Sequence, residues 1–240
     1  NILTYRNFYN GGGVAIGDIN QDGLEDIFFT SNLNSNRLFL NKGDWKFVDI
    51  TETAGVAGTG AWSTGATFVD LNNDGWQDII FTANQVAPRI YLNEGKFNFR
   101  DISSSFEDLD DGSWYSGVAP VDINNDGWQD IYLTCTAYND STRRRNKFYI
   151  NQGLKEDGSL HFVDMAEAYG VADDSYSVHA AFLDYDLDGD LDLYLLNNFV
   201  NERLSASYRE KITDGTAASN DDFYRNNGDG TFTNVTLEAG

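Results

Sequence analysis

Apolar residues come along this chain in short runs rich in β-branched and aromatic side chains, each bounded by Gly, Asn or Asp. Runs of that kind predict strands, and their boundaries predict tight turns. The runs recur in a fixed order. An opening stretch (Val14-Ala15-Ile16, Ala66-Thr67-Phe68, Val118-Ala119-Pro120, Ala180-Ala181-Phe182) leads into an acidic loop. Beyond the loop lies a second run, at Ile27-Phe28-Phe29, Ile79-Ile80-Phe81, Ile131-Tyr132-Leu133 and Leu193-Tyr194-Leu195. A third ends in an Asn-x-Gly turn, as in Leu38-Phe39-Leu40 and Ile90-Tyr91-Leu92, and a fourth starts at Phe47, Phe99, Phe162 and Phe232. Four strands in a repeat of roughly 40–50 residues predict a blade of a β-propeller, so the expected fold class is all-β, built of four-stranded antiparallel blades. One such sheet cannot bury both of its faces, so the blades must stack on one another. The repeats run approximately over 11–55, 62–107, 114–172 and 176–240 of a single region, 1–240. Extra residues around 139–146 and 154–160 lengthen the third repeat, and a long insert, 198–222, interrupts the fourth.

The acidic loops align without gaps. In the first, Asp18, Asn20, Asp22 and Asp26 stand at the first, third, fifth and ninth places, with Gly23 sixth and Leu24 seventh. The second places Asp70, Asn72, Asp74, Trp76 and Asp78 in the same way, and the third Asp122, Asn124, Asp126, Trp128 and Asp130. The fourth is more acidic: Asp184, Asp186, Asp188, Asp190 and Asp192. Calcium is a hard cation that takes six to eight oxygens. Side chains at the first, third, fifth and ninth places and the carbonyl of the seventh would supply them, with Gly allowing the sharp turn. Two carboxylates about 4 Å apart repel by on the order of 4 kcal/mol at an effective dielectric of 20. Repeating that arrangement without a cation is costly. An Asp-Gly hairpin turn explains Asp22-Gly23 but not an Asp at both ends of every loop. The expectation is therefore four Ca2+ sites. An EF-hand would need Glu at the twelfth place, where Phe29, Phe81, Leu133 and Leu195 stand. Magnesium prefers octahedral sites that keep several waters, and zinc would want Cys or His. With most charge, the fourth loop should hold its ion most tightly.

Composition narrows the possible partners. The chain has 240 residues, 41% hydrophobic and 14% aromatic, so it can bury a core. Its formal net charge of −22 argues against nucleic acid and against anionic membrane surfaces. The lone cysteine, Cys135, sits in an apolar run and reads as a core residue. No apolar run is long enough to span a membrane as a helix. The start at Asn1, without Met, reads as a mature or trimmed product.

Other residues carry weaker signals. His161 and His179 lack any recognisable nucleophile motif beside them and read as turn or packing residues. Trp62, Trp114 and Tyr176 recur at one place in the repeat, either packing blade on blade or offering a stacking platform for sugar rings. Arg143-Arg144-Arg145 is a solvated loop tip, a docking element or a partner for nearby carboxylates. The insert over 198–222, with Arg203, Arg209 and Lys211, is a candidate contact surface.

The repeat resembles the FG-GAP and VCBS repeats of integrin-α-like propellers. The opening Phe8-Tyr9-Asn10-Gly11-Gly12-Gly13-Val14-Ala15-Ile16-Gly17-Asp18 and the fourth loop resemble more specifically the bacterial cell-surface relatives in the ASPIC/UnbV and cartilage-acidic-protein group. The resemblance implies a ring of about seven blades, of which these four are part, with further repeats beyond Gly240 or a partner covering the last blade. It implies a calcium-binding module, outside the cytoplasm or at the cell surface, possible anchoring as an outer-membrane lipoprotein included, that binds a glycan or protein partner without catalysis. The alternatives are a polysaccharide lyase or glycosidase on a propeller scaffold, and a purely structural subunit of an outer-membrane complex. Fold does not choose among them.

Overall fold

Short connections favour pairing with the sequence neighbour, and every repeat folds into an antiparallel meander, the fourth despite its long connection over 198–221. The computed structural model describes residues 12–84, 86–199, 217 and 219–239. They form four four-stranded sheets, each in sequence order. The first blade comprises β1 (Val14–Gly17), β2 (Asp26–Phe29), β3 (Arg37–Asn41) and β4 (Phe47–Asp49). The second comprises β5 (Trp62–Val69), β6 (Asp78–Asn84), β7 (Arg89–Asn93) and β8 (Phe99–Asp101). The third comprises β9 (Tyr115–Val121), β10 (Asp130–Cys135), β11 (Lys147–Leu154) and β12 (Leu160–Asp164). The fourth comprises β13 (Ser177–Leu183), β14 (Asp192–Asn197), β15 (Asp222–Asn226) and β16 (Phe232–Asn234). Register is the same throughout: Ile27 lies opposite Phe39, Ile79 opposite Tyr91, Ile131 opposite Tyr149 and Leu193 opposite Tyr224.

Successive side chains of a strand point to opposite faces. Ile79 and Phe81 therefore pack on Phe28 and Leu38 of the first blade. Ile80 joins Ile90, Leu92, Ile131, Leu133 and Tyr149 between the second and third blades. Tyr132, Phe148 and Ile150 meet Leu193, Leu195 and Tyr224 between the third and fourth. The core is thus three inter-blade layers, and β6 and β10, sandwiched between two of them, are buried along their whole length. The end blades differ. Val14 and Ile16 of β1 are 50% and 62% exposed, although their counterparts Ala66 and Phe68 pack against the first blade. Leu183, Tyr194 and Leu196 on the far face of the fourth blade are also exposed. Among the described residues the four blades show no closed ring.

Innermost strands neighbour one another, β1 beside β5, β5 beside β9 and β9 beside β13. Each acidic loop leaves the end of an innermost strand, closed by the pairs Gly17–Asp26, Val69–Asp78, Val121–Asp130 and Leu183–Asp192. All four loops accordingly lie at one end of the stack. One feature departs from the strand-only reading. Single helical turns, α1 (Thr51–Ala54), α2 (Ala166–Tyr169) and α3 (Thr236–Ala239), follow the fourth strands of three blades. They start where a side chain at the strand end captures the next free N–H, as Asp49 Oδ1 does for Thr51 at 3.0 Å.

Candidate metal loops and the residues that shape them

The loops are coiled by two residues of left-handed backbone. Gly23, Gly75, Gly127 and Gly189 at the sixth place have φ of 85°, 87°, 86° and 99°. At the fourth place Gln21, Asn73, Asn125 and Leu187 have φ of 57°, 57°, 54° and 63° despite carrying side chains. The coil turns backbone N–H groups onto the carboxylates. Asp18 Oδ2 accepts from the Gly23 N–H at 2.7 Å, Asp70 Oδ2 from Gly75 at 2.8 Å and Asp122 Oδ2 from Gly127 at 2.9 Å. Asp22, Asp74 and Asp126 accept from the N–H of the seventh residue, Leu24 at 3.0 Å and Trp76 and Trp128 at 2.8 Å. The third-place amides add a donor each, with Asn20, Asn72 and Asn124 Nδ2 at 3.0, 2.9 and 2.9 Å from Asp22, Asp74 and Asp126.

The fourth loop has no such amide. Asp184, Asp186 and Asp188 each bring a carboxylate oxygen within 4.8 Å of the others. Asp184 Oδ1 is buried there without a hydrogen-bond partner. Partial desolvation, then the charge of Asp188, push the Asp186 carboxyl above its usual range. An all-oxygen donor set with an orphaned carboxylate oxygen fits a hard cation. Asp190 lies apart from this trio, with its Oδ2 against Gly228, 3.0 Å from where a Cβ would stand.

The ninth-place carboxylates occupy a different setting. Asp26, Asp78, Asp130 and Asp192 are buried, and each accepts two backbone N–H bonds. One comes from the second loop residue: Ile19 at 3.1 Å, Leu71 at 2.9 Å, Ile123 at 3.1 Å and Tyr185 at 3.0 Å. The other comes from the last Asn of the third strand: Asn41 at 2.8 Å, Asn93 at 2.7 Å, Asn151 at 2.8 Å and Asn226 at 2.8 Å. Burial, opposed by these N–H groups, raises Asp26 and pushes Asp78 up to about 7 and Asp130 to about 6. A ninth-place Asp thus clamps the loop's entry to the third strand, and Asp192 lies outside the acid trio of its own loop. Sequence reasoning missed the clamping Asn residues. Their signal was the Asn-x-Gly turn ending every third strand, where Asn93 Oδ1 also accepts from Gly95 N–H at 3.0 Å.

At the seventh place the side chains have packing duties. The Trp128 ring comes within 3.1 Å of where a Cβ on Gly153 would stand, at φ 71°, so both space and backbone require glycine there. Trp76 lies over Gly95 in the same way.

The remaining candidates have mostly structural settings. Cys135 is buried, its thiol pushed far up by burial. His161 Nε2 lies 3.6 Å from Glu107 Oε1, and His179 Nδ1 lies close to Gly117. The basic run ties parts of the chain together. Arg143 donates to Gly112 O and lies over the Tyr138 ring. Arg144, buried, donates to Asp174 O at 2.9 Å, and Arg145 pairs with Glu167. Trp62 and Trp114 have ring centroids 5.5 Å apart at 55°. They line a cavity of about 260 Å³ with Ser63, Ser116, Thr136 and Val178, at the opposite end of the inner strands from the acidic loops. Among the described residues no charged side chain lines it. Tyr176 instead meets the Phe199 ring at a tilt of 57°, centroids 4.7 Å apart. Arg203, Arg209 and Lys211 lie outside the described residues. No helix among those residues is long and apolar enough to cross a membrane.

Comparison with known proteins agrees with this repeat. The family profile described as FG-GAP-like repeat matches residues 18–81 and again 70–133. Cartilage acidic protein 1 of Xenopus tropicalis is 31% identical over 79% of this chain and 29% of its own length. The Homo sapiens protein of that name is 31% identical over 78% of the chain and 28% of its own, and the Mus musculus protein 30% over 77% and 28%. The chain therefore spans less than a third of the curated relatives it matches.

Proposed function

We propose that this FG-GAP-like repeat protein is a calcium-binding, non-catalytic module that works outside the cytoplasm and holds a glycan or protein partner. The observation that carries the calcium reading is the convergence of Asp184, Asp186 and Asp188 with the Asp184 Oδ1 oxygen left without a partner. Calcium would be held there by those three side chains, and in the other loops by the first-, third- and fifth-place oxygens. The ion supplies compensation for like charges and no chemistry. An extracellular setting agrees with relatives named for cartilage. Calcium outside cells reaches concentrations that fill sites of modest affinity.

Site-resolved calcium titration tests this reading. Asp184→Ala or Asp188→Ala is expected to weaken the fourth site by about ten-fold or more, a loss of roughly 1.4 kcal/mol or more. Asp22→Ala should weaken the first site less, because its loop adds an Asn20 amide and bonds from the Asp22 N–H to backbone bonds that the fourth loop shares through Gly189 and Asp190. Equal losses would refute the charge argument.

The partner reading rests on the Trp62–Trp114 cavity, which no charged side chain among the described residues lines in so acidic a chain. Aromatic faces beside hydroxyls suit a neutral sugar unit better than a charged one. A panel of neutral and acidic oligosaccharides is the check, with binding of a neutral member and no turnover expected, and weaker binding by Trp114→Ala. Cleavage of any member would overturn the non-catalytic assignment.

A further inference from the structure

Adjacent acidic loops are joined by hydrogen bonds that their own ion sites do not require. The fourth residue of each of the first two loops reaches into the next. Gln21 Nε2 donates to Gly75 O at 2.8 Å, and Asn73 Nδ2 donates to Gly127 O at 2.9 Å. In both cases the acceptor is the sixth-place glycine on which the next loop turns. A second link runs the other way. Asn93 Nδ2 donates to Ile19 O at 2.8 Å, and Asn151 Nδ2 donates to Leu71 O at 2.9 Å. Ile19 and Leu71 are the residues whose N–H groups Asp26 and Asp78 clamp. The N–H groups of Asn93 and Asn151 are held in turn by Asp78 and Asp130. The first and second loops, and the second and third, thus share two bonds, one through the left-handed coil and one through the buried clamp. Asn93 and Asn151 are both 1% exposed, so water does not readily replace their bonds.

The pattern stops at the fourth loop. Leu187 stands where Gln21 and Asn73 stand, has no amide to donate, and is 86% exposed. Asn226 Nδ2 donates within its own loop, to Leu191 O at 3.2 Å. Among the described residues no corresponding bond joins Asn125 to Gly189.

We propose that the first three loops take up calcium cooperatively, with Gln21, Asn73, Asn93 and Asn151 as the positioning residues that couple them, and that the fourth loop fills independently. The inference rests on the calcium reading above. An ion fixes the coil of its loop, and with it the carbonyl or amide that the neighbouring loop uses. Ordering paid for at one site is then not paid again at the next, which is positive cooperativity without any large movement.

In a Trp45→Phe background, which removes the exposed tryptophan on the β3–β4 turn at the end of the first blade that carries its loop, terbium luminescence isolates the relevant sites, because the seventh residue is Trp in the second and third loops and Leu24 or Asp190 in the others. In the whole chain, calcium displacement of terbium read through Trp76 and Trp128 is expected to show a Hill coefficient above one. Asp18→Ala, which disables only the first loop, should lower the apparent affinity of these sites by about five-fold or more, within the usual range of coupling. Asp184→Ala should leave them unmoved. In a Gln21→Ala background the effect of Asp18→Ala should shrink, and Asn73→Ala should lower the Hill coefficient, the buried Asn93 and Asn151 links remaining in both. Both amides are exposed, so these variants are expected to fold. Asn73→Gln should restore cooperativity, since Gln21 already makes the same bond with the longer side chain. Binding with a slope of one in the unmodified chain, unmoved by Asp18→Ala, would overturn the coupling and leave the calcium reading standing. Absence of binding by direct calcium measurement would overturn both.

Discussion

Removing calcium is expected to lower the melting temperature of this protein by roughly 5–10 °C for every site emptied. An ion present at 100 times its dissociation constant adds about 2.7 kcal/mol to stability. For a chain of this size each kcal/mol moves the midpoint by about 2–4 °C. The structure indicates which emptied site should cost most. In the fourth loop three carboxylates face one another with no amide between them and one oxygen unpartnered, so that loop is least able to stand without a cation. In the other loops an Asn amide answers part of the charge, beyond the backbone N–H bonds that the fourth loop also has. Calcium should restore the melting curve and magnesium should restore it poorly, because magnesium holds its waters and demands octahedral geometry. The measurement is a thermal melt of a verified metal-free sample before and after each ion. An identical melt in all states would sink the calcium assignment.

Much of this architecture can be read from residues alone, and the reason is periodicity. Ile79 and Ile80 are chemically the same, and alternation along a strand sends them to different neighbouring blades. The acidic loops announce themselves because the same letters return at the same places in every repeat. What could not be read are distinctions that depend on a partner distant in sequence. Asp70 and Asp78 look equivalent as potential ligands, yet one lies at the loop surface and the other is buried under it, held by Asn93 from the end of the third strand. Arg144 looks like part of an exposed basic run, but Asp174 and Tyr138 carbonyls receive its guanidinium. The end faces give the sharpest case. Val14 and Ile16 follow the same pattern as Ala66 and Phe68, and only the presence of a neighbouring blade separates exposed from buried.

The separation of the two kinds of acid has a direct consequence for stability. Asp78→Ala should destabilise the protein by roughly 2–6 kcal/mol even without calcium. The substitution strips the acceptors from two buried donors, the Leu71 N–H at 2.9 Å and the Asn93 N–H at 2.7 Å. A buried N–H left unpaired costs about 1–3 kcal/mol. Asp70 also accepts two N–H bonds, from Asp74 at 3.3 Å and Gly75 at 2.8 Å, but at an exposed site where water takes over. In metal-free buffer Asp70→Ala should therefore cost only about 0.5 kcal/mol, as surface changes do. Asp78→Asn should fall between the two, since it keeps one acceptor oxygen and turns an N–H donor toward the other backbone N–H. With calcium present the gap between the Ala variants should narrow, because Asp70→Ala then also forfeits its ion. Urea unfolding in chelator at low temperature measures all three while each retains a folded baseline. If Asp70→Ala and Asp78→Ala lose the same stability in the metal-free protein, the ninth-place acid is not the clamp that its two hydrogen bonds make it.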